Sequence, residues 1–154
     1  MSNIVNTEKL HFKIGIAGTY WQKVPKYSIA LNDVVLYTKE ISGPSGEIEY
    51  VEFDYNAVEG PCELKIRLLN KDDSDVVKDD ATRSDFKIVK DLLLNIKSIE
   101  IDEIDLGDLV WKKGIFTGDD PARPVLDKCV DLGWNGTWTL AFESPFYIWL
   151  LENI

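Results

Sequence analysis

Histidine and cysteine are almost missing from this chain, and each scarcity removes a class of chemistry. The single histidine, His11, falls on the polar side of an alternating segment, as a surface residue does. That leaves no imidazole placed for a catalytic triad or a histidine-based metal centre. Cys62 and Cys129 are the only cysteines, too few and too far apart for a disulfide framework or a zinc site. They are read either as free thiols or as one bridge. No run approaches 18 uninterrupted apolar residues, so nothing is expected to span a bilayer; the longest candidate, residues 146–151, has the length of a buried strand. The opening MSNIVNTEKLHF lacks a basic region followed by an apolar stretch, which predicts no secretory leader and a protein made in a cytoplasm. Gly-x-Ser-x-Gly, Walker A and dinucleotide-binding patterns are absent. Basic charge is in deficit as well: the formal net charge is −10, which disfavours nucleic acid and anionic membranes as partners. Pairs of carboxylates can hydrolyse glycosides, but among 27 acidic residues chance pairs carry no specificity. No catalytic residue is assigned, and a non-enzymatic role is expected.

What the chain does have is apolar material in a period of two. Hydrophobic residues make up 45% of it, enough for one core, and a single domain over residues 1–154 is expected. Leu10, Phe12, Ile14 and Ile16 alternate with His11 and Lys13. Tyr27, Ile29 and Leu31 repeat the pattern, and so do Leu64, Ile66 and Leu68 around Lys65 and Arg67. This is the signature of half-buried strands. Asn32-Asp33 predicts a tight turn, 42–46 a loop, and Asn135-Gly136 a hairpin between Trp134 and Trp138. Residues 86–96 carry good helix formers and are read as strand or helix. A short helical turn is expected at 125–131 and a final buried strand at 146–151. Short strands with frequent turns predict an antiparallel β-sandwich, jelly-roll-like, with its core at about 9–106. Residues 107–154, with a short helical or irregular insertion, are expected to pack on that core.

Two features suggest binding. Asn70, Asp72, Asp73 and Asp75 lie close together in the polar stretch 70–85, which is too hydrophilic to enter a core. Calcium takes hard oxygens from irregular loops of this kind, although the spacing is not that of an EF-hand; the other reading is a solvated acidic loop. The second feature is the aromatics. Five tryptophans and six tyrosines are expected to be mostly core, but Tyr20, Trp21, Trp134 and Trp138 lie at predicted turns and are the ones expected to be exposed. Flat rings at a rim stack on sugars or anchor protein contacts. Asn135-Gly136-Thr137 also matches a glycosylation acceptor, which without a secretory leader is better explained as a turn.

Several phrases resemble known families. Ile14-Gly-Ile-Ala-Gly-Thr-Tyr-Trp21, Ser28-Ile-Ala-Leu-Asn-Asp33, Leu69-Asn-Lys-Asp-Asp73 and Asp91-Leu-Leu-Leu, continuing to Ile99-Glu-Ile-Asp102, resemble the calcium-dependent xylan-binding carbohydrate-binding modules over about residues 10–106. Here Lys71 stands between Asn70 and Asp72. The resemblance implies a β-sandwich, a glycan partner and a calcium loop. The oxygen ligands would be Asn70, Asp72, Asp73 and Asp91, and Tyr20, Trp21 and Trp134 would form the stacking surface. A second resemblance runs through 15–21, Leu94-Asn-Ile-Lys-Ser-Ile-Glu-Ile-Asp102, 133–137 and Ser144-Pro-Phe-Tyr-Ile-Trp-Leu-Leu-Glu-Asn153. It is to proteins of marine cyanophages of the T-even-like myovirus kind, which have no established activity. It implies a phage origin and, by analogy, a virion role in tail, baseplate or capsid decoration. The expectation is a phage-encoded, non-catalytic module that recognises glycan, with or without calcium. The alternative is a structural virion protein that contacts other phage subunits.

Overall fold

The computed structural model describes residues 6–80 and 82–154. In chain order the strands are β1 (Thr7–Thr19), β2 (Lys26–Leu31), β3 (Val34–Glu40), β4 (Glu49–Val58), β5 (Gly60–Leu68), β6 (Val77–Lys78) and β7 (Ile88–Lys90). They continue with β8 (Leu93–Ile101), β9 (Ile104–Asp105), β10 (Ile115–Gly118), β11 (Leu126–Asp127), β12 (Asp131–Leu132) and β13 (Gly136–Ser144). Helix α1 is Asp108–Lys113 and helix α2 is Phe146–Asn153.

The period-two segments form two antiparallel sheets, β12-β8-β1-β4 with β9 on β8, and β11-β10-β13-β5-β2-β3, while β6 and β7 pair as a separate ribbon. Leu10, Phe12, Ile14, Tyr27, Ile29, Leu64 and Ile66 are fully buried in one continuous core. Their polar neighbours face outward, as alternation requires. Phe12 stacks on Phe53 at 5.1 Å within its own sheet and meets Phe142 of the opposite sheet at 6.1 Å. Tyr37 on β3 reaches Phe53 on β4 at 5.5 Å. The expected β-sandwich is the observed fold. Among the described residues no helix is long and apolar enough to cross a membrane.

Asn32 and Asp33 both take positive φ, 50° and 67°, making the tight β2–β3 turn that their residue types favour. Asp102 and Glu103 do the same between β8 and β9. Asn135-Gly136 does not form the expected hairpin. Gly136 opens β13, where a Cβ would stand 2.5 Å from the Thr117 carbonyl oxygen and 2.7 Å from Gly118 Cα. The glycine therefore serves close backbone approach rather than a positive φ. Trp138, expected at a turn, lies on β13 and is fully buried.

Three further expectations are corrected. Residues 125–131 contribute the two-residue strand β11 and the first residue of β12 in place of a helical turn. Of the two readings of 86–96, strand is the one observed, as β7 and the start of β8; β1 pairs with it from Leu93 onward, and tertiary pairing overrides helix propensity. Residues 146–151 belong to α2 rather than to a strand. Their buried positions, Phe146, Trp149 and Leu150, follow the three-to-four spacing of a helix, and Pro145 marks the start. Nor is 107–154 an addition to a finished core: β13 sits between β10 and β5 in the middle of the second sheet.

Helix α2 is held by the first strand of the chain. One Glu8 oxygen accepts from the Phe146 N–H and from the Ser144 hydroxyl, each at 2.6 Å, joining residues 138 apart in sequence. An acidic acceptor at a helix N-terminus satisfies one of its free N–H groups. Glu8→Ala is expected to lower stability by about 1–2 kcal/mol in urea denaturation, and a loss below about 0.3 kcal/mol would show that the latch carries no weight.

Candidate functional site

The polar segment that follows β5 has few apolar side chains, so polar contacts fasten it to the end of the sandwich. Asn70 accepts the Lys26 N–H on Oδ1 at 2.8 Å and donates from Nδ2 to the Val24 carbonyl at 3.0 Å. Asn135 treats Lys71 in the same way, accepting its N–H at 2.8 Å and donating to its carbonyl at 3.0 Å. Asp75, in the 3-10 turn Asp73–Asp75, is fully buried, against the expectation that this stretch is too hydrophilic to enter the interior. Its carboxylate accepts from Gln22 Nε2 at 2.7 Å and from the Asp72 N–H at 2.7 Å, and Lys23 Nζ lies 2.9 Å away. Burial alone would raise its pKa. The hydrogen bonds from Gln22 and Asp72, together with the Lys23 ammonium, outweigh that and hold it below the ordinary 3.8.

So fastened, this segment walls a cleft of about 1030 Å³. The 70–76 loop forms one side with Asp72, Asp73 and Val76, and the β6–β7 ribbon supplies Lys78, Phe86 and Ile88. The loop after β10 brings Asp119, Asp120 and Arg123, and the entry to β13 brings Trp134 and Asn135. Basic groups cover its rings: Lys78 Nζ lies 4.2 Å from the Phe86 centroid, and the Arg123 guanidinium 4.5 Å from that of Trp134. Trp134 also packs on Phe116, centroid to centroid 5.6 Å. Its Nε1 is buried with no protein partner, at a place where a Cβ on Gly118 would stand only 2.5 Å off.

Four of the seven residues singled out from sequence, Asp72, Asp73, Asp91 and Trp134, line this one cleft; Tyr20, Trp21 and Asn70 do not. The Tyr20 hydroxyl donates to the Gly43 carbonyl at 2.6 Å. Trp21 is 42% exposed, donates from Nε1 to the Asp75 carbonyl at 2.9 Å, and carries Lys90 over its ring at 4.7 Å. Sequence reading missed Lys71, Lys78, Phe86, Arg123 and Asn135. Only Lys71, inside an otherwise acidic run, left a visible signal.

The calcium set implied by resemblance does not fit the arrangement of its members. The Asn70 oxygen accepts a backbone N–H. Asp72 pairs with Lys23 at 2.8 Å and Asp91 with Lys71 at 2.6 Å. Among the described residues no three His, Cys, Asp or Glu side chains converge as metal ligands, whereas calcium takes six to eight oxygens.

Other reactive groups lie elsewhere. Cys62 is buried and Cys129 half-buried, and both are free thiols. His11 lies on the outer face of β1 with Nδ1 2.8 Å from Asp54 and Nε2 3.3 Å from Glu52. The Asp54 hydrogen bond, and then Glu52, raise its pKa above the ordinary 6.5, while partial desolvation opposes them.

Two titrations check these contacts. The depressed Asp75 pKa gives stability that is fully present above about pH 4 and is lost as pH falls through the folded value. Asp75→Asn is therefore expected to cost about 2 kcal/mol at neutral pH and to flatten the loss of melting temperature between pH 5 and 3. An acid limb as steep as in the unsubstituted chain would refute the assignment. For His11 the sign is opposite: its contribution is present below pH 6.5 and is lost as pH rises through the raised folded value. By proton NMR, Asp54→Asn should move its midpoint downward; no movement would mean that Asp54 does not hold the imidazolium.

Comparison of the chain with family models, curated proteins and solved structures finds no match, so the cleft has to be interpreted from its own chemistry.

Proposed function

We propose that this is a phage-encoded, non-catalytic module that recognises carbohydrate in the cleft bordered by Phe86 and Trp134. The observation that carries the reading is the meeting of two aromatic side chains with carboxylates and basic donors in one depression. Sugars present apolar C–H faces that stack on rings, and hydroxyls that pair with carboxylates, amides and cationic N–H groups. Pockets of this size combine an apolar lining with a few polar groups that fix orientation. Asp73 and Asp120 have no basic partner among the described ion pairs and supply acceptors. A sugar stacked on Trp134 takes the place of the Arg123 guanidinium, which then donates to hydroxyls.

A glycan array probed in calcium chloride and again in EDTA tests the proposal. Retention of a defined oligosaccharide is expected, weakened at least about tenfold by Trp134→Ala or Phe86→Ala. No retained glycan in either buffer removes the reading.

A second reading, a virion structural protein, draws on a different face. Helix α2 leaves Tyr147, Ile148 and Leu151 exposed, Leu151 at 73%, with exposed Ile154 just after its end. An apolar stripe on a short terminal helix suits a protein contact. Mass spectrometry of purified virions decides membership, and absence of the chain there counts against it.

A further inference from the structure

Lysine is almost never buried unless paired, yet the Lys71 side chain is only 11% exposed. Its ammonium donates to Asp91 Oδ1 at 2.6 Å and to the Gly133 carbonyl at 2.6 Å. Asp91 is fixed in turn, since the same oxygen accepts the Leu92 N–H at 2.8 Å. The main chain of Lys71 is gripped on both its N–H and its carbonyl by Asn135. The charge is therefore immobilised from both ends of the side chain, in the wall of the cleft that also holds Asp72, Asp73 and Trp134. Two of the three ammonium protons are engaged.

We propose that Lys71 is the resident cation of this cleft. Its ammonium takes the carboxylate of Asp91 and the carbonyl of Gly133 in place of a divalent metal, and it offers its third N–H to a hydroxyl of a neutral ligand. A metal ion drawn to the same oxygens would have to approach a fixed positive charge and compete for a carboxylate already neutralised. The arrangement performs with a side chain what a metal performs elsewhere: it orders an acid-rich loop and presents a fixed positive centre to ligand oxygen. The ligand half of the inference rests on the carbohydrate reading, and the metal-replacement half does not.

The test uses the full chain. Its melting temperature is expected to be the same in millimolar calcium chloride and in EDTA. Lys71→Met, which keeps the stem and removes the charge, is expected to lower it by about 5 °C or more, because the half-buried Asp91 is left without its counter-charge. A melting temperature raised by calcium over EDTA overturns the proposal, and so does one unchanged in Lys71→Met. The metal comparison needs no variant, so it stands even if Lys71→Met fails to fold. Any oligosaccharide found on the array should bind equally in EDTA and lose at least tenfold in affinity with Lys71→Met, or with Lys71→Gln should the first variant not fold. A sugar bound only with calcium overturns the proposal and leaves carbohydrate recognition intact. If no sugar binds, carbohydrate recognition falls and the melting comparisons alone decide on the resident cation.

Discussion

A long polar segment cannot hold itself against a sandwich by hiding apolar surface, and everything at the cleft depends on how this chain solves that problem. The solution is a set of side chains that behave like pieces of backbone. Asn70 and Asn135 each complete a donor-and-acceptor pair with a main-chain segment, and Asp75 collects Gln22, Lys23 and the Asp72 N–H inside the interior. Buried polar groups of this kind contribute modest net stability when satisfied, and breaking one partner costs much more than the bond itself contributes. The loop is consequently stiff where these groups act. Asp72, Asp73 and Lys71 inherit that stiffness as cleft walls, which lowers the entropy to be lost on binding.

The sandwich was legible wherever one face is wet. In β1, β2 and β5 the alternation of Leu10, Phe12 and Ile14, of Tyr27 and Ile29, and of Leu64 and Ile66 maps directly onto burial. It failed where a local rule has two physical uses. Asn-Gly favours a tight hairpin, but it equally supplies an amide that can mimic backbone and a residue without Cβ; at 135–136 the second use wins, through Lys71 and Thr117. An apolar run of six residues fits a buried strand or a short helix alike, and only Glu8, arriving from the other end of the chain, fastens it as α2. Contacts this distant in sequence leave no local trace.

The site was half legible for a related reason. Its carboxylates were conspicuous because they cluster in sequence, and Asp72, Asp73 and Asp91 do reach one cleft. Their electrostatic partners were harder to see: Lys23 and Arg67 come from other segments, and Lys71, though it stands within the acidic run, pairs with Asp91, 20 residues away. An acidic run read without those cations looks like a metal loop. With them in place, three of the carboxylates in the cleft already carry a counter-charge. Phe86 and Arg123 were hidden because each sits in a loop whose residue types look solvated, and only the folded chain turns them toward Trp134 and Lys78.

Strand β13 ties the two candidate surfaces together and keeps them apart. Its first residue, Gly136, follows the cleft residues Trp134 and Asn135, and its last, Ser144, leads through Pro145 into α2. Nine extended residues separate the two by about 27 Å at roughly 3 Å per residue. Because β13 lies in the middle of its sheet, paired on both sides, that separation is rigid. A ligand in the cleft and a protein on the exposed Tyr147, Ile148 and Leu151 stripe would not obstruct one another. The proposed recognition at one end of β13 and the proposed protein contact at the other are therefore compatible roles for a single chain.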